Sequence, residues 1–293
     1  MAGAKNKIDM SFLVQLDKYT LPLKNRVAAV YSGNHLSTKK GSGLELVDHR
    51  KYNPGDPLKK IDWNLYARTE KLYIRRFEEN KTLNMVILLD ASSSMLFPED
   101  NPNKFEYAST VALGVSYVVM RCNDQYMIAT FTDNVDYTKA HKGRDEFLRT
   151  VDNLSTISVN GKTKLADSAD FLYPRIKSKS MILIISDFLD NPESIRHAVH
   201  RLSRHEILLV HIYDETEINL PENMEGIVKF IDSETNEEIN TSVGPQFKKE
   251  YFDLYNKHLA ELDKIAYDFK IPYFKISIKN KPFDSVLTII GER

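Results

Sequence analysis

Short apolar runs alternate with amphipathic stretches from residue 83 to residue 278. The runs at 83–89, 125–131, 180–186 and 206–213 are dominated by aliphatic and aromatic side chains, the pattern of strands covered on both faces. Between them, apolar residues recur at helical spacing, which predicts helices at 104–121, 144–153, 164–177 and 192–204 and a short edge strand at 134–138. A long helix at 244–269 and a last strand at 272–278 complete the pattern. Strands separated by helices imply an α/β fold: a doubly wound, mostly parallel sheet flanked by helices, Rossmann-like in layout. The stripe Phe247, Tyr251, Leu254, Tyr255, Leu259, Leu262 and Ile265 is expected to face the core.

Two regions break this rhythm. Residues 214–242 read as a surface hairpin inserted into the domain, with Gly226–Ile231 as one arm. Residues 1–80 read as an N-terminal appendage. It begins with a helix near 9–30 and passes through a glycine-containing polar stretch. A turn at Asn53-Pro54-Gly55-Asp56-Pro57 follows, then an alternating strand at 71–77. The domain proper is expected at 81–280 and a C-terminal tail at 281–293. The aromatic content of 48–80 argues that the segment packs on the main domain, with Trp63 as a buried anchor.

Charge sharpens that division. Residues 1–82 hold 16 Lys and Arg against 9 Asp and Glu, while the remainder holds 24 against 32. A basic appendage beside an acidic body suits docking within the chain; nucleic-acid binding through the basic segment is the rival, and no nucleic-acid partner is expected. No apolar stretch approaches the roughly 20 residues of a membrane span. The single cysteine, Cys122, excludes an internal disulfide and fits a reducing compartment, so a cytoplasmic protein is expected.

The candidate chemistry lies at the ends of the apolar runs. Asp90, Ser92 and Ser94 follow the run Met85–Leu89, and Asp187 follows the run Met181–Ile185. Thr163 lies in the polar turn Asn160-Gly161-Lys162-Thr163 ahead of a predicted helix. Open α/β sheets place ligands at the C-terminal ends of their strands. Carboxylates with hydroxyls make a hard, oxygen-only donor set, suited to Mg²⁺ or Mn²⁺ rather than zinc. Asp90 alone also suits a turn or helix cap. Asp190 reads as the cap of a helix beginning at Pro192, and Asp167 as solvated. His197, His200 and His205 lack zinc-ligand spacing.

The set Asp90, Ser92, Ser94, Thr163 and Asp187 resembles the metal-ion-dependent adhesion site of von Willebrand factor A-type domains. That resemblance implies a bound Mg²⁺ or Mn²⁺ with a coordination position open to a partner's Asp or Glu. The string Tyr52-x-Pro54-Gly55-Asp56, then Ile61-Asp62-Trp63, Ala67-Arg68 and Phe77-Glu78-Glu79, leads into Leu88-Leu89-Asp90-x-Ser92-x-Ser94-Met95. With Ser186-Asp187-Phe188 and Val210–Asp214, it resembles the bacterial family catalogued as domain of unknown function 58, over roughly residues 30–270. Many members of that family carry N-terminal transmembrane helices; this chain is expected to have none, and so not to be anchored in a membrane. The resemblance implies an adaptor or co-chaperone for a MoxR-type AAA+ ATPase or its client, active in assembling other protein complexes. No phosphate loop and no nucleophile elbow occurs, so no enzymatic activity is expected. A metal-dependent phosphoester hydrolase is the enzymatic alternative.

Overall fold

The computed structural model describes residues 6–17, 44–79, 84–99, 102–218, 220, 224–235 and 237–291. It forms two compact units, Met1–Tyr31 with Leu83–Arg293 and, separately, Ser32–Thr82. The larger unit opens with the short helix α1 (Leu13–Leu16), where Phe12, Leu13 and Leu16 are buried in the main core. Residues 6–17 thus belong to the larger unit and not to the appendage expected at 1–80. The rest of the helix expected to residue 30 lies outside the described residues.

In the smaller unit, β1 (Leu44–Lys51) pairs antiparallel with β2 (Tyr73–Glu79) around the helix α2 (Trp63–Thr69). Asp62 caps α2, accepting from the N–H groups of Asn64 and Leu65 at 3.0 and 3.1 Å, and its other oxygen meets His49 Nε2 at 2.9 Å. The predicted turn closes between Asn53 and Asp56, with Gly55 in the left-handed region at φ +106°. Trp63 is 57% exposed and meets Tyr66 edge-on, so the buried-anchor expectation is corrected: α2 turns its first residue outward.

The larger unit continues in chain order with β3 (Asn84–Asp90), α3 (Lys104–Arg121), β4 (Gln125–Phe131), β5 (Val135–Tyr137), α4 (Arg144–Thr156) and α5 (Leu165–Leu172). Then come β6 (Met181–Ser186), α6 (Pro192–Leu202), β7 (Glu206–Tyr213), α7 (Glu215–Ile218), β8 (Gly226–Ile231) and β9 (Glu238–Val243). The unit ends with α8 (Pro245–Phe269), β10 (Tyr273–Ser277) and α9 (Pro282–Gly291). The sheet order is β10-β7-β6-β3-β4-β5, parallel except for the antiparallel edge strand β5.

Alternation along each strand divides the core into two layers, because successive side chains point to opposite faces. Met85, Ile87 and Leu89 pack with α3, α4 and α9, while Val86 and Leu88 pack with α5, α6 and α8. Within 281–293, expected as a tail, Pro282–Gly291 form α9, whose Val286, Ile289 and Ile290 are buried. Gly114 of α3 permits that close approach: a Cβ there would lie 2.6 Å from Val286 Cγ2. The expected inserted hairpin is present as the separate two-stranded sheet β8–β9. The aromatic stripe of α8 is only partly core-facing. Leu262 and Ile265 are buried, but Leu254 is 68% exposed and Phe247 turns to Phe230 of the hairpin. No helix among the described residues is long and apolar enough to cross a membrane.

Candidate metal centre

The chain runs outward from β3 to β4 and β5, then returns to the other side of β3 with β6, β7 and β10. The winding therefore reverses between β3 and β6, where an open sheet leaves a crevice at its C-terminal edge. Leu89 pairs with Ile185 in register, so Asp90 and Ser186 end adjacent strands and Asp187 follows directly. Burying Met85 to Leu89 contributes about 1.5–3 kcal/mol per large side chain. That sum exceeds the several kcal/mol needed to desolvate one carboxylate, and so the strand carries Asp90 into the interior.

Both oxygens of Asp90 are held by the protein. Oδ1 accepts from the Ser92 N–H at 2.9 Å, which is the cap role its residue type allowed, and Oδ2 accepts from Ser186 Oγ at 2.6 Å. A carboxylate oxygen has two lone pairs, so each retains one for a cation. Burial, then the charge of Asp187, raises the Asp90 carboxyl above the usual carboxylate range. Ser92 Oγ and Ser94 Oγ lie 3.0 Å apart. Adjacent ligands on an octahedral Mg²⁺ at ~2.1 Å stand ~3 Å apart, so this spacing fits.

Asp187 faces an internal cation. Lys104, fully buried in the first turn of α3, donates to Asp187 Oδ2 at 2.7 Å and also to Glu217 of α7. Burial alone would raise the Asp187 carboxyl, but the Lys104 charge and hydrogen bond, then the Ser94 hydroxyl, hold it low. Burial likewise works against a charged Lys104, and the two carboxylates more than restore it. Phe188 adopts φ +49°, costly for a bulky residue, and its N–H bonds Ser186 Oγ at 2.9 Å. That turn orients Asp187 off the strand end.

Asp90, Ser92, Ser94 and Asp187 thus form one bonded network with Ser186. The Thr163 loop is tied to it through its backbone, by Ser93 N–H to Gly161 O at 3.0 Å and Asn160 N–H to Ala91 O at 3.1 Å. The Thr163 hydroxyl, however, bonds Glu234 of the hairpin turn and none of those four. Lys104, Ser186, Glu217 and Glu234 are functional candidates that pattern reading missed; the seryl in Ser186-Asp187 was the one visible signal. Asp167 is exposed, as expected. Asn191, rather than Asp190, caps α6, accepting from Glu193 N–H at 2.9 Å, while Asp190 accepts from Ser194 Oγ. Among the described residues no three His, Cys, Asp or Glu side chains gather as a metal cage. A cation at the switch point would therefore be held by Asp90 and Asp187 together with hydroxyls, and the donor set present fits a hard divalent ion.

A model of the family described as "Protein of unknown function DUF58" matches residues 48–261. The chain belongs to this family. The chain is 25% identical over 259 residues to uncharacterised proteins of Mycobacterium tuberculosis and Mycobacterium bovis, covering 87% of this chain and 81% of theirs. Among solved structures, it is similar to the conserved hypothetical protein BatB of Bacteroides thetaiotaomicron, at 16% identity and a TM-score of 0.44 over 72% of this chain and 98% of that one. A second similar structure is an aerotolerance-related membrane protein of Bacteroides fragilis, at 15% identity and a TM-score of 0.43 over 72% and 100%.

Beside the centre of this DUF58 chain, His211 of β7 pairs in register with Ser186 and bonds the Tyr273 hydroxyl at 2.7 Å. Burial pushes it down to about 3; Asp187 opposes that shift, while Lys104, Lys275 and His258 add to it. The unfolded chain takes a proton near pH 6.5 that the native state refuses, so this contribution to stability is complete above that pH and is lost as pH falls toward 3. Between pH 7 and 5 we expect a loss of about 2 kcal/mol from this residue. Urea unfolding of wild type and His211→Gln at both pH values checks it: the pH-dependent loss is smaller in the variant, and an identical loss in both rules His211 out.

Proposed function

We propose that this chain is a divalent-cation-dependent protein-binding module whose partner presents an Asp or Glu side chain. The observation that carries this reading is the buried carboxylate pair Asp90 and Asp187 at the switch point, beside the hydroxyls of Ser92 and Ser94. Lys104 is already shared between Asp187 and Glu217, so the group carries more buried negative than positive charge. When bound, Mg²⁺ or Mn²⁺ offsets that excess and supplies an electrophilic position toward an external carboxylate. The chain's own residues do the positioning. Ser186 and the Ser92 N–H fix Asp90, Lys104 keeps Asp187 ionised, and Thr163 approaches on a loop bonded to the Asp90–Ser94 turn. The resemblance of this set to the adhesion site of von Willebrand A-type domains supports the same role. DUF58 membership favours a MoxR-type AAA+ ATPase, or its client, as the partner.

On this reading the chain binds and does not catalyse. A nucleophilic serine needs an adjacent base. Ser92 bonds Ser94, and Ser94 bonds Asp187, a carboxylate made a poor base by Lys104; Ser186 does meet the raised Asp90 carboxyl, but both are fully buried, away from any substrate. The test is capture of a MoxR-type ATPase from native extract by the immobilised chain, in Mg²⁺ and in EDTA. We expect retention in Mg²⁺, and release in EDTA and with Asp90→Asn. Retention under all three conditions removes the metal face from recognition.

A further inference from the structure

The hairpin β8–β9 sends one side chain back to the Thr163 loop. Glu234 Oε1 accepts two hydrogen bonds from Thr163, from the backbone N–H at 3.2 Å and from Oγ1 at 3.0 Å. A carboxylate from a segment 71 residues away in sequence therefore sits on the hydroxyl expected to face a cation. The turn is built to present it. Asp232 Oδ1 accepts from the N–H groups of Glu234 and Thr235 at 2.8 and 3.3 Å, which folds the turn around that carboxylate. Glu234 is half-buried while Asp232, Ser233, Thr235 and Glu237 beside it are exposed.

The two sides of this contact differ in how firmly they are held. The Thr163 loop is anchored to the Asp90–Ser94 turn by backbone hydrogen bonds. On its other flank, Asp133 accepts from Lys162 N–H at 3.4 Å and pairs with Lys164 at 3.3 Å. Gly161 sits at φ +88°, a conformation that L side chains rarely adopt, and a Cβ there would lie 2.8 Å from Asp133 Oδ2. The hairpin, by contrast, is a two-stranded sheet outside the main one, with Ile227, Ile231 and Ile239 exposed. Two-stranded ribbons are marginal structures on their own, so the hairpin is the element that yields.

We propose that Glu234 is an internal occupant of the position this centre offers to an acidic partner, so that a partner's carboxylate binds by displacing the β8–β9 turn. This rests on the proposed function above and deepens it. The chemistry is self-consistent: a hydroxyl can give its proton to a carboxylate and a lone pair to a cation at once. A tethered carboxylate competes at high effective concentration, which screens out isolated acidic side chains and favours partners that also engage the hairpin.

The test uses the full chain loaded with Mn²⁺ and two variants, Glu234→Gln and Glu234→Ala. Water-proton relaxivity reports how many waters sit on the ion, and a hexaglutamate peptide serves as the acidic probe. We expect both variants to gain relaxivity, to lose about 10-fold in Mn²⁺ affinity, and to bind hexaglutamate more tightly than wild type in Mn²⁺ but not in EDTA. Equal relaxivity and equal peptide affinity in all three proteins overturn this assignment while leaving the metal centre standing. Failure of the wild type to bind Mn²⁺ overturns the centre and this assignment together. The substitution lies in an exposed turn, and unchanged far-ultraviolet circular dichroism verifies that folding is preserved.

Discussion

Lys104→Met is expected to cost the fold about 3–5 kcal/mol, the range for removing one partner of a buried ion pair. The ammonium is fully buried and holds Asp187, which is itself 1% exposed, together with Glu217. Methionine matches the stem in length and apolar character, so little packing is lost. What remains is a carboxylate with no solvent and no cation. Against a typical total of 5–15 kcal/mol this is a large fraction, and the thermal midpoint should fall by roughly 6–20 °C. Urea and thermal unfolding measure it. Two further arms identify the cause. Lys104→Met with Asp187→Asn should recover part of the loss, because the orphaned charge is gone. Added Mg²⁺ should raise the midpoint of Lys104→Met more than that of wild type, since a divalent ion then has an unpaired Asp187 to meet. A loss below about 1 kcal/mol would mean that the pair is dispensable and that Asp187 takes up a proton instead.

The second large effect concerns the ion itself. Wild type is expected to bind one Mn²⁺ by calorimetry, and Asp90→Asn should weaken that binding about 100-fold or more, beyond the 10–100-fold cost of disturbing a residue that merely supports a ligand. Asn keeps the shape of the side chain, and its carbonyl oxygen can still accept from the Ser92 N–H. Loss of binding would then report loss of charge rather than collapse of the turn. Burial of Asp90 makes the loss of its charge costlier, because a carboxylate and a cation attract more strongly in the low-dielectric interior than in water. Ser92→Ala with Ser94→Ala removes two hydroxyls and is expected to have a comparable effect. Equal Mn²⁺ binding by wild type, Asp90→Asn and the double serine variant would detach the ion from this site altogether.

The fold was legible because its signals are local. Four of the six sheet strands announce themselves as short apolar runs, since burial on both faces leaves little room for polar residues. The amphipathic stretches between them bounded α3, α4, α6 and α8 to within about three residues, while the helix expected at 164–177 ends at Leu172. Capping was less legible. Asn191 and Asp190 are both suitable caps by residue type, and only the path of the chain into Pro192 selects Asn191. Trp63 and Leu254 misled for a related reason: an aromatic or aliphatic residue identifies apolar surface but not what covers it.

By itself, the sequence determined the α/β class, the strand ends and the oxygen chemistry gathered there, because each is carried by spacing within a few residues. Only the tertiary structure decided what faces that chemistry. Lys104 meets Glu217 across 113 residues, Ser186 meets Asp90 across 96, and Glu234 meets Thr163 across 71. Polar contacts at such separations leave no periodic trace in sequence. They arise when strand order and loop path bring distant segments together, and in the low-dielectric interior each buried charge must then find a partner.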